Sequence, residues 1–215
     1  MSPRTLTRKQ KQEKTRSCLM DAAAKVFARR GLEDASIDEV ADEAGYTKGA
    51  FYSNFKSKEE LFLAMLDEKF SAEIERLDEA LGGGDDPREE ARQAAAGFAS
   101  FVFADPEWPR LYFQFAAHAA RDEEFREELA TRCRAMREKM VEIFRRWSRD
   151  FPAEPPLPLA DLATMTDFMA SGFILERMID PEIPEELYAT MMATFFLGVQ
   201  ALAVGWVAPQ TVEVD

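Results

Sequence analysis

The chain contains 215 residues, with a mass of 24.4 kDa and a formal net charge of −13. This length is sufficient for one large domain or two smaller ones. Its two cysteines, Cys18 and Cys133, form no CxxC pattern, which argues against a disulfide-rich scaffold and predicts a cytoplasmic protein. The polar, basic N-terminal residues do not match a signal peptide, and no apolar run approaches the length of a membrane span, so we expect no membrane association.

Charge is distributed unevenly along the chain. Residues 1–60 hold 12 basic and 10 acidic side chains, whereas residues 61–215 hold 15 basic and 30 acidic ones. Because salt screens charges beyond about 10 Å, a basic region can still meet a polyanion within an acidic chain. For Arg4, Arg8 and Lys9 at the N-terminus, a DNA contact and a solvated tail both remain open.

Two predicted helices lie in residues 19–44. The first shows apolar residues at helical spacing from residue 19 to residue 27, and Gly31 is a typical helix end. The second begins at a capping box formed by Ser36 and Glu39, and it ends at Gly45.

A short third helix follows, capped by Thr47 and reaching about residue 55. Ser57 and Glu60 form another capping box, which opens a long connecting helix over about residues 58–81. Phe51 and Phe55 lie on one side of the short helix, where we expect them to hold it against the core.

Residues 61–215 predict five further helices, and no alternating strand pattern persists anywhere in the chain. Breaks rich in glycine or proline separate these helices, at residues 82–86, 105–109, 151–158 and 180–184. The helices are expected near residues 88–104, 107–119, 122–150, 159–179 and 184–206. The fold class predicted is therefore all-α.

The second and third helices, joined by a turn at residues 44–47, have the layout of a helix-turn-helix, whose second helix enters the DNA major groove. Hydroxyls at helix N-termini can donate hydrogen bonds to phosphate oxygens, and a lysine can donate to the acceptors on a guanine edge. Glycine and alanine are small enough to allow close approach to the bases. The candidate DNA contacts are Ser36, Thr47, Lys48, Gly49, Ala50, Tyr52, Asn54 and Lys58.

The segments AAAKVFARRG and SIDEVADEAGYTKGAFYSNFKSKEEL, residues 22–61, resemble the DNA-binding domain of the tetracycline-repressor (TetR) family. The resemblance implies a homodimer that binds a palindromic operator and releases it when a small molecule enters the C-terminal domain. It also implies a DNA-binding domain over residues 1–60 and an effector-binding and dimerisation domain over residues 61–215. Two positions depart from the pattern: Asn54, where many relatives have histidine, and Tyr46, where a small aliphatic residue is usual.

The C-terminal region holds 14 of the 17 phenylalanines and 8 of the 10 methionines, a composition that suits an adaptable apolar pocket. The candidate pocket residues are Trp108, Tyr112, Phe115, His118, Met136, Met140, Phe144, Met165, Phe168 and Met169. For each of them, ordinary core packing is the alternative. For His118 a hydrogen bond to an effector is a second alternative, and its spacing to neighbouring acids matches no metal site.

The last two predicted helices are apolar nearly all round, which indicates that they bury a second face against a partner. A four-helix interface between two copies of the chain would cover that face. The candidate interface residues are Phe173, Ile179, Tyr188, Met192, Phe195, Phe196, Val199 and Leu202.

The function expected is that of a ligand-responsive transcriptional regulator that represses until a small hydrophobic or aromatic effector binds. The alternative is a helical small-molecule-binding module without DNA binding. One histidine and two distant cysteines supply neither a nucleophile–base pair nor a metal set, so we expect no enzyme activity, no cofactor and no metal.

Overall fold

The computed structural model describes residues 7–81, 89, 92–97, 105, 107–150 and 155–203. Over these residues the regular secondary structure is helical and no strand is present, which confirms the all-α prediction. Three expectations fall outside the described residues: the contact of Arg4, the glycine-rich break at 82–86, and most of the helix over 88–104.

The N-terminal part contains four helices. They are α1 (Arg8–Asp34), α2 (Ile37–Glu43), α3 (Lys48–Tyr52) and α4 (Lys58–Ala80). The C-terminal part continues with α5 (residues 92–97), α6 (Glu107–Ala119), α7 (Glu123–Trp147, followed by a 3-10 turn over Ser148–Asp150), α8 (Leu159–Ile179) and α9 (Glu186–Ala203). None of the described helices is long and apolar enough to cross a membrane.

Local side-chain chemistry sets the helix boundaries near the N-terminus. Gly31 has a positive φ of 77° and interrupts α1 three residues before its end, so the predicted stop appears as a kink. The Ser36–Glu39 capping box is present at α2, and the Thr47 hydroxyl accepts the Ala50 amide at 3.2 Å at the start of α3.

The third and fourth helices differ slightly from prediction. Helix α3 ends at Tyr52, because the Asn54 amide turns back to the Phe51 carbonyl at 2.8 Å. At α4, the Ser57 hydroxyl accepts the Glu60 amide at 3.1 Å, but the Glu60 carboxylate accepts from the Lys56 amide instead of from Ser57. The predicted cap is therefore built from three residues in place of two.

Contacts divide the chain into two units, one formed by Met1–Ser71 with Asp105–Arg132 and the other by Ala72–Ala104 with Cys133–Asp215. The boundaries fall within α4 and α7. Helix α6 therefore belongs to the N-terminal unit, where it packs along α1, although it lies well beyond residue 60 in the sequence.

Each unit has its own apolar core. In the N-terminal unit the core is aromatic and aliphatic, and includes Leu19, Val26, Phe27, Val40, Phe51, Phe55, Leu61, Phe62, Leu66 and Phe115. In the second unit α8 and α9 enclose a cluster of Ala95, Ala170, Phe173, Tyr188 and Met192. Burial of these side chains, at about 1.5–3 kcal/mol for each large one, provides the main force that holds each unit together.

Candidate nucleic-acid interface and ligand cavity

Helices α2 and α3 are held in a fixed arrangement by a tight turn and by buried rings. Gly45 adopts a φ of 72°, which side chains disfavour, and the next amide, that of Tyr46, donates to the Ala41 carbonyl at 2.9 Å. Phe51 and Phe55 are fully buried, as predicted, and their rings lie 5.8 Å apart. The outward face of α3 is thus presented on a rigid support.

That outward face carries four of the eight predicted DNA contacts as exposed residues. Thr47, Lys48, Gly49 and Tyr52 are exposed, and the Tyr52 ring keeps 51% of its accessible surface. A Cβ added at Gly49 would meet only the Thr47 hydroxyl, at an ordinary 3.7 Å, so internal packing does not demand a glycine there. The missing side chain instead leaves the backbone open to close approach from outside.

Lys48, at the start of α3, pairs with an acid of α2. Its Nζ lies 2.9 Å from Asp38 Oδ2, and both side chains are more than half exposed. The hydrogen bond from the ammonium to Asp38 raises the pKa of Lys48. Because exposed ion pairs are weak, Lys48 can exchange Asp38 for a stronger anionic partner at little cost.

Asn54 has an inward contact that the sequence did not indicate. Its side-chain amide donates to the Ala50 carbonyl at 2.8 Å, while Oδ1 has no hydrogen-bond partner among the described residues. Arg16, from α1, donates to the Asn54 backbone carbonyl at 2.8 Å and lies 4.2 Å from the Phe55 ring centroid. Arg16 therefore anchors the end of α3 through a hydrogen bond and a cation–π contact.

Lys58 also contacts the protein itself. Its ammonium donates to the Leu32 and Ala35 carbonyls at 2.7 Å and lies 3.4 Å from the Glu33 carbonyl. These carbonyls sit at the C-terminus of α1, where a cation complements the helix dipole. Since three acceptors surround the three donors of the ammonium, the structure ties Lys58 to the loop between α1 and α2.

The predicted pocket residues of α6 lie in the N-terminal unit. Phe115 is fully buried, stacks on Phe62 at 3.6 Å between ring centroids, and meets Phe27 edge-on at 5.7 Å. Trp108 also stacks on Phe62, with 5.8 Å between the ring centroids. The apolar stripe of α6 packs against side chains of α1 and α4. It is therefore part of the core and does not line a cavity.

Tyr112 and His118 complete the predicted set on α6. The Tyr112 ring is half-buried and lies 5.4 Å from that of Phe113. The His118 ring lies 5.4 Å from that of Phe125, and its Nε2 is 3.9 Å from Asp122 Oδ2 and 4.0 Å from Glu59 Oε1. In the part of the chain that the structure describes, no group of three or more His, Cys, Asp or Glu side chains is arranged to hold a metal ion.

A cavity of about 360 Å³ lies within the second unit. Helices α4, α5, α7, α8 and α9 all contribute to its wall. The lining includes Glu73, Arg76, Leu77, Glu79, Ala94, Ala95, Met136, Met140, Phe144, Trp147, Thr166, Asp167, Ala170, Tyr188, Met192 and Phe196. The volume falls in the range of small-molecule sites, and the wall is mainly apolar with a few polar groups, as such sites usually are.

Three of the ten predicted pocket residues, Met136, Met140 and Phe144, line this cavity. Two others, Met165 and Phe168, are exposed at 40% and 66% and do not line the cavity. Met169 packs against the core cluster of the second unit. The helical spacing identified apolar positions correctly but did not show which of them face empty space.

The polar groups of the cavity were not foreseen. Glu73 lines it from α4, and burial together with the charge of Asp167 raises the pKa of Glu73 to about 8. Asp167 accepts a hydrogen bond from Arg137 at 2.7 Å, and burial raises the pKa of Tyr188. One signal was available in the sequence: Glu73 falls on the same stripe of α4 as Phe70 and Leu77.

The predicted interface residues of α8 and α9 fall into two groups. Phe173, Tyr188 and Met192 are buried in the core of the chain itself, because α8 and α9 pack against each other through them. Phe195, Phe196 and Val199 are half-buried, while Ile179 and Leu202 are exposed at 71% and 45%. Phe168 and Leu175 are further exposed apolar residues of α8, at 66% and 39%.

Comparisons with known proteins agree with this architecture. Residues 19–65 match the model for bacterial regulatory proteins of the tetR family, and residues 87–198 match that for the C-terminal part of BetI-type transcriptional repressors. The second match alone covers more than half of the chain. The chain belongs to the TetR family of transcriptional regulators.

Individual relatives are more distant. The HTH-type transcriptional activator FasR of Mycolicibacterium smegmatis is 36% identical over 103 residues, and the chain spans about half of its length: 48% of this chain and 47% of FasR are covered. The HTH-type transcriptional regulator YfiR of Bacillus subtilis is 26% identical, over 81% of this chain and 84% of YfiR. These families and relatives are regulators, not enzymes.

A solved structure shares the fold at low sequence identity. The transcriptional regulator FadR of Bacillus subtilis, determined in complex with stearoyl-CoA, superposes with a TM-score of 0.66 at 17% identity. The superposition covers 89% of this chain and 99% of FadR. At that identity the likeness establishes the fold alone.

Proposed function

We propose that the protein is a ligand-responsive repressor that binds a palindromic operator as a homodimer and leaves it when a small apolar effector fills the cavity of the second unit. In this proposal residues 1–60 read DNA, and residues 61–215 bind the effector and the second copy. The observation that carries it is the exposed face of α3, with Thr47, Lys48, Gly49 and Tyr52 held outward on buried Phe51 and Phe55.

The proposed contacts divide into two classes. In this proposal Lys48 and Ala50 read base edges, while Ser36, Thr47, Tyr52 and Asn54 contact phosphates. We assign Lys58 a positioning role, since its ammonium already serves three carbonyls at the end of α1. In a dimer the two α3 helices would read half-sites about 34–36 Å apart, or multiples of that distance.

Several observations support the effector and the direction of control. Helix α4 follows α3 in the chain, and the last turns of α4 line the cavity. This one helix therefore links the proposed DNA-binding helix to the proposed effector site. A ligand that binds the DNA-incompetent conformation more tightly will release the operator. A relative of the same fold binds stearoyl-CoA, and the C-terminal half matches a repressor family.

The test is DNA binding followed by its reversal. The intergenic DNA next to the gene is titrated with purified protein by fluorescence anisotropy and footprinted, and a symmetric protected site is expected. Lys48→Ala should bind this site on the order of tenfold or more weakly. Lys139→Ala, an exposed lysine of α7, is the charge-matched control and should bind as the wild type does. Equal binding by both variants, or no protected site, would refute the proposal.

The direction of control needs a separate measurement. A reporter gene placed behind the protected site should be less active when the protein is present. Higher reporter activity would make the protein an activator, the role that the name of FasR gives to that relative.

A further inference from the structure

The cavity contains an acidic group that the rest of the protein does not use. Glu73 lines the cavity, and among the residues that the structure describes its carboxyl forms no hydrogen bond and no ion pair. Desolvation and the charge of Asp167 both act on it and raise its pKa to about 8. A carboxyl that faces a cavity with no partner of its own is costly to ionise, unless a ligand supplies the missing partner.

The other charged groups at the cavity are mostly acidic. Asp167 lines it from α8 and Glu79 from α4, while Arg76 is the only base on the wall as described. Arg137 of α7 is paired with Asp167 at 2.7 Å and so offsets that one carboxylate. Glu73 therefore lacks a basic partner of its own.

The remaining wall is suited to the apolar part of a cation. Phe144, Trp147, Tyr188 and Phe196 contribute four aromatic rings, and methionines of α7 and α9 lie among them. Aromatic faces attract cations within about 6 Å, and methionine side chains adapt to irregular apolar shapes.

We propose that the effector of this cavity is an organic cation, a protonated amine carried on an apolar or aromatic body, with its ammonium bound at Glu73. This inference rests on the proposed function, because it names the chemical class of ligand for the same cavity. An anionic head group placed at Glu73 would be repelled by Asp167 and by Glu73 itself once ionised.

Binding would be coupled to a proton. At neutral pH the Glu73 carboxyl holds its proton in the empty cavity, and an ammonium favours the carboxylate, so up to one proton leaves to solvent for each cation bound. The titratable and charged groups that line the cavity with Glu73 are Asp167 from α8, Tyr188 from α9, and Arg76 and Glu79 from α4 itself. A neutral ligand of the same shape would release no proton.

The test uses three probes with one skeleton: 4-phenylbutylammonium, 4-phenylbutan-1-ol and 4-phenylbutyrate. Each is titrated into the full chain by isothermal calorimetry, in buffers of different ionisation enthalpy. We expect the cation to bind about tenfold or more tightly than the alcohol, and the anion to bind most weakly. Proton release should accompany the cation alone.

Variants separate Glu73 from general effects. Glu73→Gln keeps the side-chain shape and should weaken the cation about tenfold, while the affinity for the alcohol changes less than about threefold. Glu75→Gln, an exposed acid of the same helix outside the cavity, should leave all three affinities unchanged. For the wild type, affinity for the cation should rise about tenfold between about pH 6.5 and pH 8.5. This measurement does not depend on whether any variant folds.

The outcomes also separate this inference from the proposed function. An anion or alcohol that binds as tightly as the cation, a cation affinity unaffected by Glu73→Gln, or no binding of any probe would each overturn the cation class. All three titrations are done without DNA, so they stand apart from the operator test. If the cation binds as expected but leaves operator binding intact, the ligand class holds and the ligand-responsive part of the proposed function fails.

Discussion

The ammonium of Lys48, at the first residue of α3, lies 2.9 Å from the carboxylate of Asp38 in α2. The pair joins the two helices of the helix-turn-helix and places an acid on the surface proposed to meet DNA. If Lys48 contacts DNA as proposed, Asp38 would compete with DNA for its ammonium and would also repel phosphate.

Opposite effects are expected from changing the two members of this pair. Lys48→Ala should lose affinity for the operator on the order of ten- to a hundredfold and relax base preference. Asp38→Asn should gain about two- to fivefold on any DNA sequence, because it removes a negative charge and a competitor. Anisotropy titrations on operator and scrambled DNA measure both. Weaker binding by Asp38→Asn would mean that the pair orients Lys48 for reading instead of restraining it.

Lys58→Met should affect folding more than phosphate contact. Without the ammonium, the carbonyls of Leu32 and Ala35 lose their donor, at a cost of about 1–3 kcal/mol in the free energy of unfolding. Urea denaturation measures this loss, and Lys56→Met, at an exposed neighbouring lysine, is the control and should stay within about 0.5 kcal/mol.

The salt dependence of DNA binding distinguishes the two roles of Lys58. A phosphate contact contributes about one unit to the slope of log affinity against log salt. We expect Lys58→Met to keep the wild-type slope. If the slope of Lys58→Met is lower by about one, Lys58 contacts a phosphate as the sequence predicts.

Stability should depend on pH through Glu73. Its pKa is raised from 4.5 to about 8 in the folded chain, so between these values the folded state holds a proton that the unfolded state has released. The free energy of unfolding therefore falls as pH rises through this window, by up to about 1.4 kcal/mol per pH unit from this group, and levels off above pH 8. Below about pH 4.5 both states are protonated and the effect vanishes.

Denaturation of wild type and Glu73→Gln at several pH values between 5 and 8.5 checks this coupling. The stability advantage of Glu73→Gln should grow with pH, while Glu75→Gln should follow the wild type throughout. Parallel curves for wild type and Glu73→Gln would show that the Glu73 carboxyl reaches bulk water in the folded protein.

Dimerisation should depend on the exposed face of α8. Phe168, Leu175 and Ile179 are spaced by seven and four residues, so they share one side of the helix, and 66% and 71% of the first and last remain accessible. The double variant Phe168→Glu with Ile179→Glu should place like charges against each other and weaken a two-fold dimer at least about a hundredfold.

Light scattering coupled to size-exclusion chromatography measures the assembly state. We expect a dimer for the wild type and a monomer for the double variant, which should also lose operator affinity. Leu157→Glu, at an exposed apolar residue before α8, should remain dimeric. A double variant that stays dimeric would place the interface elsewhere.

What could be predicted from the sequence is what is encoded within single helices and their caps. The all-α fold, the capping residues Ser36 and Thr47, and buried Phe51 and Phe55 follow from patterns three or four residues apart, and the structure confirms them. The contiguous motif over residues 22–61 indicated the TetR family for the same reason, since it combines those local patterns in a fixed order.

Contacts between distant segments were decided only by the tertiary structure. The sequence marks Phe115 and Met140 as equally apolar, yet one packs against α1 and α4 while the other borders a cavity. Likewise, a lysine ammonium can donate either to a phosphate or to a backbone carbonyl. Lys58 donates to carbonyls because the tertiary structure brings those of Leu32 and Ala35 next to its ammonium. Periodicity shows that a side chain faces inward, but packing between helices determines whether it meets a neighbour, a charge or empty space.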